Sequence, residues 1–148
     1  MTVKYADVQP GTEIPQKSYR ATRLDLVKYA GASGDFNVIH WNDRLARAVG
    51  LPGVIAHGMY TMAQAGKFVS EWAGDPGAVL EFGVRFSAVV PVPDDTDPPP
   101  GGNTGGATIE VSGTIADKLG DNRVAVDIVA RSAGEKVLTR ARAVVRLP

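Results

Sequence analysis

At 148 residues the chain is long enough to bury an ordinary core without metal or disulfide staples, and its 16 basic and 16 acidic side chains cancel, which disfavours nucleic acid and anionic lipid as partners. Cysteine is absent, so disulfides, thiolate metal sites and a cysteine nucleophile are excluded, and a reducing cytoplasm is compatible. The first ten residues lack the apolar run of a secretory signal and no stretch reaches the length of a membrane span, so a soluble cytoplasmic protein of one domain, 1–148, is expected, with no membrane association.

Residues from Glu13 to Arg20, interrupted by Pro15, predict a short edge strand. Thr22 with Asp25 three residues on forms a capping box, and Leu24, Val27 and Ala30 follow near helical spacing, which predicts a helix over Arg23 to Ala30 stopped by Gly31. Ala32 to His40 carries neither period and reads as a loop punctuated by Gly34. Asn42 can cap a second short helix with Leu45 and Val49 one turn apart and Gly50 at its stop. After the turn Leu51-Pro52-Gly53, the stretch Gly58 to Trp72 predicts a long central helix with Met62, Ala63, Val69 and Ala73 at core-like spacings. Its small residues, Ala63, Ala65 and Gly66, let a sheet pack closely around it.

Beyond Gly74-Asp75-Pro76-Gly77 the period changes to two. Leu80, Phe82, Val84, Phe86 and Ala88 alternate with Glu81, Gly83, Arg85 and Ser87; Ala107, Ile109, Val111 and Ile115 form a second run, Val124, Val126 and Ile128 a third, and Val137, Thr139, Ala141, Ala143 and Val145 a fourth. Short turns at Leu119-Gly120-Asp121-Asn122 and Ser132-Ala133-Gly134-Glu135 make the last three an antiparallel meander. Arg140, Arg142 and Arg146 fall on its outer, solvated face. Residues 94–106 are too rich in Pro, Gly and Asp to pack and predict a mobile loop. The whole is an α+β arrangement, an antiparallel sheet around a central helix.

Both histidines fall in one window, in Gly34-Asp35-Phe36-Asn37-Val38-Ile39-His40 and in Ala56-His57-Gly58-Met59. An imidazole titrates near neutral pH, so His40 can take a proton alpha to a carbonyl, while Asp35 can protonate a departing hydroxyl or hold an incoming water. Gly58, at the start of the long helix, has a free N–H backed by the helix dipole, where a thioester oxygen could sit. Each residue also has a bland role: Asp35 and Asn37 as turn residues, His40 as a structural imidazole, His57 as a cap or space-filler, and Trp41, Trp72, Met59 and Met62 as core or interface. Metal binding by Asp35, His40 and His57 is disfavoured because the spacing is not the one-turn pairing of helical zinc sites. The chemistry calls for no cofactor.

Tyr29 to His40, followed by Ile55-Ala56-His57-Gly58-Met59, resembles the hydratase motif of the MaoC-like family of (R)-specific enoyl hydratases and (3R)-hydroxyacyl dehydratases. Trp72 to Ala78 and Val84-Arg85-Phe86 extend the likeness, which is strongest toward the catalytic B subunit of the (3R)-hydroxyacyl-ACP dehydratase of mycolic-acid elongation. The resemblance implies a hot-dog fold, a catalytic pair at Asp35 and His40, an oxyanion amide at Gly58, a loop-shaping Asn37 and a substrate-side His57. It also implies an acyl-ACP or acyl-CoA thioester as substrate, and pairing with a homologous hot-dog A subunit or with itself. Two departures stand out: Val38 replaces the motif's proline, and Gly66 stands where some hydratases carry a serine. Two other functions remain open from the sequence, a non-catalytic acyl-binding hot-dog subunit and an acyl thioesterase.

Overall fold

The computed structural model describes residues 2–94 and 105–148, so most of the expected 94–106 loop lies outside the described residues. Five strands, β1 (Glu13–Ala21), β2 (Val79–Phe86), β3 (Ala107–Gly120), β4 (Arg123–Ser132) and β5 (Glu135–Arg146), form one sheet in the order β1-β3-β4-β5-β2. Every pairing is antiparallel. Helices α1 (Arg23–Ser33) and α2 (Asp43–Ala48) precede the long helix α3 (Gly58–Ala73), against which the concave face of the sheet is laid. This is the hot-dog arrangement. Among the described residues no helix is long and apolar enough to cross a membrane.

The meander follows from its turns. Asp121 and Asn122 link β3 to β4 with φ of 50° and 58°, and Ala133 and Gly134 link β4 to β5 with φ of 49° and 79°. Positive φ at both central residues is what a two-residue hairpin requires, and Asn and Asp tolerate it better than most side chains. Ile109, Val111, Ile115, Val124, Val126, Ile128, Ala141, Ala143 and Val145 then point inward and pack with Phe68, Ala65 and Val69 of α3. Gly113, on the same face of β3, leaves room for Phe68: a Cβ there would stand 3.2 Å from its ring.

The small residues of α3 do let a strand approach, and the structure identifies which one. Phe82 lies over Gly66 and Phe86 over Gly58, each ring within 3.3 Å of where a Cβ would be. Eight residues of helix span about 12 Å and four of strand about 13 Å, so the two spacings match. Edge strand β2 therefore runs alongside α3 in the opposite sense, stapled by two phenylalanines on two glycines.

Several local expectations change. α1 continues one turn past Gly31 and stops at Gly34, whose φ of 76° closes the helix with an N–H to the Ala30 carbonyl. Its buried positions are Leu26 and Ala30, while Leu24 and Val27 are exposed. The period-two reading of β2 fails at Leu80, because a bulge between Val79 and Glu81 turns that side chain outward; Phe86 is exposed as well. A second bulge in β5, with Arg140 at φ 48°, brings Leu138 rather than Thr139 into the core. On α3, Ala63 is exposed and Tyr60, Thr61, Ala65 and Phe68 take the buried face; of the residues expected in the core or at an interface, Trp41 and Met59 lie at the surface, which leaves them the interface role.

Candidate active site

Gly34 delivers the chain into a loop whose short polar side chains organise its own backbone. Ser33 Oγ accepts from the Asp35 N–H at 3.2 Å, Asp35 Oδ1 from the Asn37 N–H at 3.2 Å, and Asn37 Oδ1 from the Ile39 N–H at 3.3 Å. Each is a bond to a residue two ahead, the local device by which Ser, Asp and Asn replace a secondary-structure ladder. The 3₁₀ turn Val38–His40 follows, and the Trp41 indole N–H closes back on the Phe36 carbonyl at 3.0 Å. Asp35 Oδ2 is left free of this scaffold.

His40 is 8% exposed, and its Nδ1 lies 2.8 Å from the Ile55 carbonyl. A carbonyl only accepts, so Nδ1 carries the proton and the lone pair sits on Nε2. That Nε2 is 3.9 Å from Asp35 Oδ2. The gap is too long for a direct hydrogen bond, but a single water or hydroxyl with legs of about 2.8 Å spans it. The carbonyl that orients His40 is itself well held. Val54 to Ala56 pairs with Val90 to Val92 through bonds of 2.8 and 2.9 Å, and Asp43 Oδ1 accepts from the Val54 N–H at 2.8 Å and from Arg23 at 3.0 Å. Those donors, Val54 first, hold the Asp43 carboxyl below its usual range.

His57 lies against this pair from behind. Its side chain is 1% exposed, and its Nε2–H donates to the Asp35 carbonyl at 3.1 Å. The ring stacks on His40 with centroids 3.8 Å apart and planes 22° from parallel, and Tyr29 packs on it at 4.7 Å. Nδ1 is buried without a partner among the described residues. Burial holds its pKa below the ordinary imidazole value. Asp35, His40 and His57 each bring a ligand atom within 4.8 Å of the others. Nevertheless, near-parallel rings aim their lone pairs side by side rather than at one point, a poor start for tetrahedral coordination.

In front of His40 is a cavity of about 400 Å³ lined by Ile39, Ile55, Ala56, Phe86, Val89 and Val137, with Gly58 and Thr61 on its helical side. Its walls are mostly apolar, as a pocket for a hydrocarbon chain requires. Gly58 and Met59 open α3, and neither N–H has a backbone acceptor among the described residues. A side chain on Gly58 would stand 3.2 Å from Phe86, so glycine keeps both the amide and the cavity open. Asp35 does not line the cavity; its half-exposed carboxylate (51%) stands beside His40.

The structure thus brings His40 and Gly58 to one cavity with Asp35 beside His40, puts Asn37 under the loop as a backbone acceptor, and seats His57 behind the His40 ring. Sequence reasoning missed Thr61, Ile55 and Tyr29. Thr61 had a signal, since it stands one turn after Gly58 on the same helix face. The other two fall within the stretches that carry the family resemblance, but their roles were not legible, because they act through a packed ring and a main-chain carbonyl.

Residues 6–98 match the MaoC like domain family. A 3-hydroxyacyl-thioester dehydratase X of Mycobacterium tuberculosis is 38% identical over 85 residues, covering 57% of this chain and 29% of that protein. A 3-hydroxybutyryl-CoA dehydratase of Methylorubrum extorquens is 27% identical over 146 residues, covering 97% of this chain and 83% of that one. A solved structure described as a MaoC-like dehydratase superposes with a TM-score of 0.89 at 40% identity, covering 99% of this chain and 43% of that one. The chain therefore spans well under half the length of the first relative and of that solved chain.

Proposed function

The chain belongs to the MaoC-like domain family, and from that membership and the geometry of its site we propose that it is a hydro-lyase, which reversibly removes water from (3R)-hydroxyacyl thioesters to give trans-2-enoyl thioesters. The observation that carries the reading is the 3.9 Å gap between His40 Nε2 and Asp35 Oδ2 beside an apolar cavity that His40 and Gly58 both line. His40 Nε2 takes the alpha proton while the Ile55 carbonyl steadies the resulting imidazolium through Nδ1–H. The beta hydroxyl leaves with a proton from Asp35, and water departs. Negative charge gathering on the thioester oxygen meets the Gly58 N–H at the positive end of α3, an interaction of the kind worth roughly 3 to 4 kcal/mol. In the hydration direction the Asp35 carboxylate takes a proton from water as its oxygen joins the beta carbon, and His40 returns a proton to the alpha carbon. The carrier is an ACP or CoA thioester.

Asp35 is wetter than an acid catalyst should be, since water competes for its proton. Phe36 and Trp41 of its loop, Met59 at the start of α3, and Phe86 and Val89 of the cavity lining are all exposed, apolar side chains of the kind that mark an interaction site. A second hot-dog chain, a homologous A subunit or another copy of this one, laid over that surface would dry the site.

The test is an enoyl-thioester assay with this chain alone and with a homologous partner, following loss of the enoyl absorbance and release of free thiol in parallel. Loss of the enoyl signal without thiol supports the lyase. Thiol release with the enoyl group intact assigns a thioesterase instead, and tight binding with neither change assigns a non-catalytic acyl carrier.

A further inference from the structure

We propose that His57 is a positioning residue, a buried neutral imidazole that anchors the Asp35 backbone through one hydrogen bond and fixes the plane of the His40 ring through the other face of its function, stacking, without touching substrate. The geometry stands on its own; the kinetic consequence rests on the hydro-lyase reading.

Each catalytic side chain has one degree of freedom that its own loop leaves open. The Asp35 peptide is held on its N–H by Ser33 and on its carbonyl by His57, at 3.2 and 3.1 Å. Remove His57 and the carbonyl end is loose, so Oδ2 loses its fixed distance from His40. For His40, the bond from Nδ1 to Ile55 fixes one atom of the ring but not the ring's rotation about it. A parallel ring at 3.8 Å closes that rotation. A hydrogen bond sets a point, and a stacked face sets a plane.

The charge state of His57 is set by what surrounds it. Its one N–H is committed to the Asp35 carbonyl, and protonation would place a second N–H at a buried Nδ1 with no acceptor among the described residues. From α1 the Tyr29 ring faces it, with Tyr60 of α3 edge-on behind that, and from the loop come His40 and the Asp35 backbone. The Asp35 carboxylate, 3.9 Å from His40 Nε2, also acts on this ring, and its charge opposes the effect of burial without overcoming it. Asp25 acts on Tyr60, not on this ring. A neutral face lets His40 gain a proton during the reaction; a charged one stacked at 3.8 Å would oppose it.

Only two imidazoles are present, so NMR reads each directly. The expected spectrum of the wild-type protein has His57 neutral with its proton on Nε2 at the pH where an ordinary imidazole is half protonated, and His40 with its proton on Nδ1. Two variants divide the role. His57→Phe keeps the flat face and loses the donor; His57→Gln keeps the donor at the Nε2 position and loses the ring. Misplacing a reacting group by about 1 Å costs on the order of 100-fold, so each folded variant is expected to lose 10- to 100-fold in kcat with KM within about threefold. His40 is expected to keep its tautomer in His57→Phe and to lose the single Nδ1–H form in His57→Gln. The proposal is overturned by a His57 that titrates at the ordinary imidazole value, or by wild-type kcat in both folded variants. If wild-type protein hydrates no enoyl thioester, the lyase reading fails while the tautomers still decide whether His57 holds the site.

Discussion

The two ends of the site are built by opposite means. The loop from Gly34 to His40 is largely exposed and keeps its shape through bonds from Ser33, Asp35 and Asn37 to backbone two residues on. His57, at the N-cap of α3, is instead buried and held through packing, while Gly58 and Met59, which open the helix, are exposed. The groups of the proposed reaction sit where the two meet: a half-exposed carboxylate, a buried imidazole and the amide that opens α3. A loop supplies reach and a helix end supplies a fixed electrostatic field. Neither region alone holds the proposed base, acid and oxyanion donor.

The contrast can be broken at both ends. The largest effect is expected from His40→Gln, which removes the base while leaving the packing: a fall in enoyl hydration on the order of 100- to 10,000-fold with little change in thermal midpoint. Gly58→Ala comes next, because its methyl meets Phe86 at 3.2 Å and crowds the amide. About a tenfold loss in kcat/KM is expected, less than the roughly 100-fold or more for a donor removed outright because the amide is crowded and not lost, and Phe86→Leu in the same chain should restore part of it.

Two backbone changes probe the loop alone. Gly34→Ala places a side chain at φ 76° with open space around it, so the cost is purely conformational, about 1 kcal/mol in urea unfolding. Val38→Pro should act in the other direction. Val38 is the first residue of its 3₁₀ turn, its N–H has no backbone acceptor among the described residues, and Asn37 before it already has ψ of 129°, the range that proline demands. A gain of about 0.4 to 1 kcal/mol with unchanged kcat is expected.

Acid should weaken the packed end first. His57 is held below its ordinary pKa by burial, so below about pH 6.5 the unfolded chain binds a proton that the folded one refuses. Its stabilising share is complete above that pH and declines as pH falls toward the folded value. Chemical unfolding at pH 7.5 and pH 5.5 should show the decline, and His57→Phe should reduce it.

Much of this was legible in the sequence for definite reasons. The meander could be read because Val and Ile at period two are bounded by Gly-Asp-Asn and Ala-Gly turns, and α3 because its apolar positions run unbroken from Gly58 to a glycine stop. The Thr22–Asp25 capping box and the Asn42 cap are present as read. What failed were the places where one residue shifts a register: the bulges at Leu80 and Arg140 leave no mark in an alternating pattern. Within the site, the residue types that bear protons could be named in advance. Their mutual geometry could not, since it depends on the Ile55 carbonyl, the Tyr29 ring and the stack of two histidines seventeen positions apart in the chain.

The central claim is that Asp35 and His40 act as a pair, and kcat/KM for an enoyl thioester tests it across the wild type, Asp35→Asn, His40→Gln and the double variant. Because the two groups handle opposite ends of one elimination, each single variant should lose about as much as the double does. An outer-face control, Arg142→Gln, breaks only the 2.7 Å ion pair with Asp127 and should retain full activity. Full activity in Asp35→Asn or His40→Gln would contradict the account.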